Sequence, residues 1–272
     1  FIFLLLRNPA IRLGGMSKRY FAVSARTAIG LARSGNEDSA LTSSSLLAVA
    51  DGMGGHAGGE VASQIAIKTL ASMVPVLTAP DIDTDSIEDL LLNSLHTIDG
   101  EISRVASDEI ELRGMGTTLT ALLIRGNRVA LLHVGDSRCY RLRGNTFEQL
   151  THDHTVLQEL LDSGTISMSE AADHPQRSML TQVLMGEGSV APVLMVYEVN
   201  SKDRFLLCSD GLSSVLTEKE IKSLLKKSNR DEAAVALVEA TYVNGAPDNV
   251  TVVIADVIDA EEHAIELIGA AQ

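Results

Sequence analysis

Apolar residues in this chain follow two rhythms: short continuous runs, and longer stretches with an apolar residue every third or fourth position. The run Leu-Leu-Ala-Val-Ala at 46–50 reads as a buried strand. Residues 60–74 carry Val61, Ile65, Ala66, Leu70 and Met73 on one helical face. Residues 86–106 repeat the pattern through Ile87, Leu91, Leu95, Ile98, Ile102 and Val105, with Thr84 or Asp85 as the capping residue. The middle of the chain changes period. Strands at 118–124 and 128–134 meet across Gly126-Asn127, a hairpin signal. The strand at 128–134 then meets 138–143 across Gly135-Asp136-Ser137, which reads as a second hairpin. Further on lie a buried strand at 204–209 and a Thr217/Glu220 capping box opening a helix. A second helix at 231–243 ends at Asn244-Gly245, and a strand at 249–257 follows. Hairpins in the middle with helices in separate blocks predict an α+β fold with antiparallel sheets.

Composition narrows this. Neither an internal repeat nor a low-complexity linker divides the 272 residues, so one domain is expected over 16–260, with a tail at 261–272. Residues 1–15 read as a non-native or disordered extension before Met16-Ser17-Lys18, a clipped export signal being the alternative; the apolar stretch there is far short of a membrane span. A net charge of -14 speaks against a nucleic-acid or anionic-membrane surface and suits a site that gathers cations. Two cysteines, Cys139 and Cys208, both in apolar runs, point to buried free thiols and a cytoplasmic, reducing location.

The chemistry sits at strand ends. Asp51 follows the strand at 46–50, Asp136 follows 128–134, Asp210 follows 204–209, and Asp248 precedes 249–257. Any one of them is an ordinary turn residue. If the strands are neighbours, all four converge, and converging carboxylates repel unless cations lie among them. An all-oxygen set selects Mg²⁺ or Mn²⁺ over zinc. Two such ions, roughly 3.5–4 Å apart, acidify a shared water and present hydroxide to an electrophile. The glycines within 52–59 let the backbone pass close to such ions, and Gly52 can offer its carbonyl. Arg33 is placed to grip a phosphate through its bidentate fork, and Glu37 and Asp38 to hold metal-bound waters.

The segments RSGNED, VADGMGGHAGGE, GTTLTALL, VGDSRCYRLR, LTHDHT, LCSDGL and DNVTVVIADV, in this order, resemble a bacterial metal-dependent Ser/Thr protein phosphatase of type 2C over about residues 18–258. The resemblance implies a four-layer α-β-β-α sandwich and hydrolysis of phosphoserine and phosphothreonine in proteins. It implies that Asp51 bridges two metals, that the Gly52 carbonyl binds one of them, and that Asp210 and Asp248 complete the first. Asp136, with Asp210, matches the ligand of a weaker third ion. Arg33 matches the phosphate-binding arginine, and Glu37 and Asp38 the acids beside it. Residues 151–186 resemble the flap. Where eukaryotic relatives place a histidine after the Asp-Gly pair, this chain has Met53; His56, three residues on, is a candidate general acid or simply a loop histidine. His133, His152, His154 and His174 read as structural or flap residues. The implied partners are phosphorylated proteins and a cognate Ser/Thr kinase, for a monomer without a membrane span. A phosphoprotein-binding module without turnover and a hydrolase of small phosphomonoesters are the alternatives; a binding module commonly lacks a metal aspartate, and none is missing here.

Overall fold

The computed structural model describes residues 18–54, 58–79, 86–171, 174–259 and 264–272. The expected extension at 1–15, His56, and the expected caps Thr84 and Asp85 lie outside them. The strands are β1 (Tyr20–Ala28), β2 (Asp38–Thr42), β3 (Leu46–Met53), β4 (Gly116–Thr117), β5 (Leu119–Arg125), β6 (Arg128–Val134), β7 (Arg138–Arg143), β8 (Thr146–Gln149), β9 (Val193–Glu198), β10 (Arg204–Cys208), β11 (Val250–Ile258) and β12 (Glu266–Gly269). The helices are α1 (Gly58–Leu77), α2 (Ser86–Asp108), α3 (Val156–Asp162), α4 (Met168–Ala171), α5 (Asp210–Ser213), α6 (Glu218–Leu225) and α7 (Arg230–Val243).

Every strand pair is antiparallel. One sheet runs β1-β11-β10-β7-β8, the other β12-β2-β3-β5-β6-β9, with β4 added beside β3. The continuous apolar runs have a simple cause: both faces of their strands are covered, and successive side chains point to opposite faces. In β3, Leu47 and Val49 enter the core between the sheets, while Leu46, Ala48 and Ala50 face α1 and α2. In β10, Phe205 and Leu207 point between the sheets, and Leu206 and Cys208 point to the layer of α5, α6 and α7. Val253 and Ala255 of β11 divide from Val252 and Ile254 in the same way. Three apolar cores between four layers make the α-β-β-α sandwich. Phe21 and Phe205 meet edge to face at 6.1 Å in its middle.

Helix ends follow their local chemistry. The Thr217 side chain accepts from the Glu220 amide while the Glu220 carboxylate accepts from the Thr217 amide, completing the expected capping box. Helix α7 starts on Asn229, whose side chain accepts from the amides of Asp231 and Glu232. Helix α1 is long and apolar enough, by length and composition alone, to cross a membrane. Its Ala62, Ala66, Ile67 and Leu70 are buried in the core against the sheet holding β3, which accounts for that character.

Two elements differ from the sequence reading. The turn Gly135-Asp136-Ser137 is not a hairpin. It carries the chain from β6 in one sheet to β7 in the other, because β6 pairs with β5 and β9 while β7 pairs with β10 and β8. Asp136 therefore sits where the chain crosses between the layers. The segment read as a tail supplies β12, which pairs with β2 so that Gly269 faces Ser39. The Ala270 amide donates to the Asp38 carbonyl at 2.8 Å, and Ala271 is buried. Gly269 has φ +73, and a Cβ there would collide with the Asp38 carbonyl oxygen. The variant Gly269→Val is expected to lose about 1–3 kcal/mol from backbone strain alone, read as a lower urea midpoint at unchanged m-value; an unchanged midpoint would contradict this packing.

Candidate metal centre and phosphate site

The ends of β3 and β10, the start of β11 and the β6–β7 crossing open onto one cavity of about 740 Å³. Asp51, Asp136, Asp210 and Asp248 all line it, together with Arg33, Glu37 and Gly52. The convergence expected of four strand-end aspartates is present. Asp38 lies just behind them, fully buried, directly across the β2–β3 ladder from Asp51.

The local sequence explains how these groups are held. The Asp51 amide donates to Thr118 Oγ1 at 3.0 Å, and its carbonyl accepts from the Thr118 amide and Thr117 Oγ1. Thr118 Oγ1 shares a hydrogen bond with Ser137 Oγ at 2.8 Å, and Thr120 Oγ1 donates to the Ser137 carbonyl. The two threonine-rich positions before β5 thus lock the loop of Asp51 to the crossing that carries Asp136. Asn249 does the same on the other side. Its amide group donates to the carbonyls of Ile29 and Gly35, and its oxygen accepts from the Glu37 amide. The loop bearing Arg33 and Glu37 is fastened beside Asp248. Gly52 packs so tightly that a Cβ would strike the Gly59 carbonyl at the start of α1.

The electrostatics are those of a crowd of acids. Burial, then repulsion from Asp38 and Asp210, pushes the Asp51 carboxyl well above the usual carboxylate range. Burial moves Asp136 up to about 7, with Asp210 adding to the shift. Asp210 is raised by burial and by Asp248. Asp38 is pushed up to about 7, chiefly by burial and against the hydrogen bond that Ser209 Oγ donates to its Oδ2 at 2.7 Å. Burial also raises Glu37. Arg33 is the one cation among the described residues lining the cavity, and its guanidinium lies 2.7 Å from Asp248 Oδ2. That hydrogen bond raises its pKa.

These residues fit hard divalent cations. Asp38 Oδ1 is buried with no hydrogen-bond partner, an acceptor left without a donor. Asp51, Asp136 and Asp210 resist ionising beside one another unless a positive charge enters among them. Among the described residues, no three His, Cys, Asp or Glu side chains close into a direct cage. A ring of carboxylates around an open cavity suits ions that keep several of their waters, as Mg²⁺ does. Among the described residues, the histidines take no part in such a set. His133 is buried between Thr120 Oγ1 and the His152 carbonyl, and burial holds it neutral with a pKa of about 3. His154 Nδ1 accepts from the Gly135 amide and so props the crossing. His152 pairs with Asp162, and His174 accepts from the Gln176 amide.

Comparison with known proteins gives this fold a family. Residues 35–242 match the family model described as protein phosphatase 2C. The chain belongs to the protein phosphatase 2C family. It is 45% identical over 239 residues to the serine/threonine protein phosphatase PstP of Mycobacterium tuberculosis, covering 87% of this chain and 45% of that protein. It thus spans about half the length of that relative. It is 38% identical over 212 residues to the serine/threonine phosphatase stp of Listeria welshimeri, covering 78% of this chain and 84% of the relative. A crystal structure of the catalytic domain of PstP in complex with two manganese ions superposes with a TM-score of 0.80 at 41% identity, over 88% of this chain and 99% of that one. The four-layer sandwich is the fold it shares with that catalytic domain.

Sequence reasoning found the acids but not the groups that aim them. Ser209, Asn249, Thr117, Thr118 and Ser137 lie inside the segments that carry the resemblance, but their spacing assigned them no role. The raised carboxyls set the pH behaviour. A carboxyl near 7 in the fold and about 3.9 when unfolded holds its proton longer in the folded state, so its contribution to metal-free stability is full at low pH and lost as pH rises through about 7. The metal-free Tm is therefore expected to fall between about pH 4 and pH 7, and Asp38→Asn to flatten that slope. Manganese binding reverses the sign, since it takes the deprotonated carboxylates and releases protons. Calorimetry in buffers of different ionisation enthalpy is expected to show affinity rising over the same interval; affinity independent of pH would contradict this electrostatic picture.

Proposed function

We propose that this chain is a metal-dependent phosphatase that hydrolyses phosphoserine and phosphothreonine in proteins. One observation carries the reading: four strand-end aspartates and a single arginine converge on one cavity of a protein phosphatase 2C fold. Asp51, the Gly52 carbonyl, Asp210 and Asp248 are the groups that would hold two Mn²⁺ or Mg²⁺ ions, and Asp136 with Asp210 a third, weaker one. Glu37 on the cavity lining and Asp38 behind it would hold metal-bound waters. Bound there, the ions supply positive charge against the phosphate and acidify a water for attack on phosphorus.

The protein's own part is positioning. Arg33 presents a planar fork to the non-bridging phosphate oxygens, matching them two at a time. Asp38 and Asp51, fixed side by side on β2 and β3, keep the acidic wall rigid. Hydrolysis joins the water oxygen to phosphorus and breaks the phosphorus–oxygen bond to the serine or threonine side chain. The side-chain oxygen leaves with a proton as the free hydroxyl, and inorganic phosphate is the other product. The same reading takes in a monomer that opposes a Ser/Thr kinase in the cytoplasm; Cys139 and Cys208, both buried and unpaired, suit a reducing compartment.

Phosphothreonine peptide hydrolysis is expected with Mn²⁺, to vanish with a chelator, and to return on re-adding metal. Turnover that persists through exhaustive chelation contradicts the reading, and metal-saturated protein that binds phosphopeptide without turnover supports a binding module in its place. Arg33→Ala is expected to raise KM more than it lowers kcat, by the about 1.5–3 kcal/mol of a charge-assisted hydrogen-bond pair. An unchanged KM would return Arg33 to its role as a partner of Asp248.

A further inference from the structure

The cavity has a second wall that the phosphate chemistry leaves unused. Besides the carboxylates it is lined by Met53, Met179, Leu180, Val183 and Met185, together with Pro175. All but Met53 come from the segment between α4 and β9. Met179 is 51% exposed and Met53 37% exposed, so large apolar side chains stand open to solvent inside the site. Exposed apolar surface at a binding cleft calls for an apolar occupant.

This wall is held by the backbone. The Thr117 and Leu184 backbones exchange two hydrogen bonds of 3.0 Å, one in each direction. Leu184 is fully buried in the core. In an extended segment the neighbours of an inward residue face outward, so Val183 and Met185 turn to the cavity. Gly116 makes room for them: a Cβ there would stand 2.9 Å from Met185 Cγ and 3.3 Å from Val183 Cγ2. At the other end, Leu180 bridges to Thr155, the Val156 amide donates to the Met179 carbonyl, and the Thr181 amide donates to the His154 carbonyl. The wall is tied at both ends to elements that also prop the Asp136 crossing.

We infer that this wall selects phosphorylated segments with bulky apolar side chains immediately beside the phosphorylated residue. The inference rests on the phosphatase reading above. A cavity of about 740 Å³ is far larger than one phosphorylated side chain and has room for its neighbours. A phosphate drawn to Arg33 and the aspartates leaves the adjoining residues against the methionine side. An acidic neighbour laid against these apolar side chains gives up its water there and gains no hydrogen-bond partner in return. Methionine is flexible and polarisable, so the wall accepts differing apolar shapes and does not demand one residue.

The test uses the manganese-loaded protein and two phosphothreonine peptides, identical except for leucine or aspartate on both sides of the phosphothreonine. The leucine-flanked peptide is expected to have a kcat/KM about tenfold higher, the order of discrimination a hydrophobic pocket supplies, with the difference lying in KM. Met179→Glu and Val183→Glu are each expected to erase that ratio, and Met179→Leu to keep it. Equal rates on the two wild-type peptides overturn the inference, as does a ratio that survives both glutamate variants. The small phosphomonoester p-nitrophenyl phosphate, which has no flanking residues, separates the two claims. Wild-type turnover of it with equal peptide rates fails the wall alone, whereas no turnover of any of the three substrates fails the phosphatase reading itself.

Discussion

Repulsion among carboxylates at one rim of the sandwich is the constraint on which the rest of the molecule turns. Asp38, Asp51, Asp136 and Asp210 are each raised by burial, and repulsion from a neighbouring aspartate adds to each shift. Left alone, such groups would move apart or keep their protons. The fold denies them the first option. Each strand that carries or adjoins them is covered on both faces, and the cores on its two sides fix its position. What remains is protonation or a cation, and the open cavity beside them leaves room for the second.

The scaffold around the acids is accordingly over-determined. Thr117, Thr118 and Thr120 tie the Asp51 strand to Ser137 of the crossing, and His154 holds the Gly135 amide from the other side. Asn249 fastens the Arg33 loop with three hydrogen bonds. Strand β12 closes the back of Asp38, and Gln64 of α1 donates to the Ala270 carbonyl. Each device satisfies backbone groups that a loop at a sheet edge would otherwise leave to water. The result is a rigid acidic floor beside an apolar wall whose two ends are equally well anchored.

Much of this was legible in the residues. Strands buried on both faces announce themselves as unbroken apolar runs, so 46–50, 118–124, 204–209 and 249–257 were readable, and the aspartates at their ends with them. The capping box at Thr217 and the stop at Asn244-Gly245 are local chemistry and were readable for that reason. Partner choice is not local. Nothing in Gly135-Asp136-Ser137 distinguishes a hairpin from a crossing between sheets, because the difference lies in which other strands occupy the edges of β6 and β7. The polar strand β2, with its buried Asp38 and Ser39, follows no hydrophobic rhythm, and β9 exposes Met195 and Val196. Strand β12 is only four residues long and gains its identity from β2. Ser209 and Asn249 matter through geometry that sequence spacing does not encode.

We propose that these carboxylates are a divalent cation site centred on Asp51. Anomalous diffraction at the manganese edge, from crystals of the wild type and Asp51→Ala grown with Mn²⁺, tests it most directly. Two strong peaks are expected in the wild type, both near the Asp51 carboxylate and shared out among Asp210, Asp248 and the Gly52 carbonyl, and both are expected to be lost in Asp51→Ala. Peaks that lie away from these residues, or that persist at full strength without the Asp51 side chain, would contradict it.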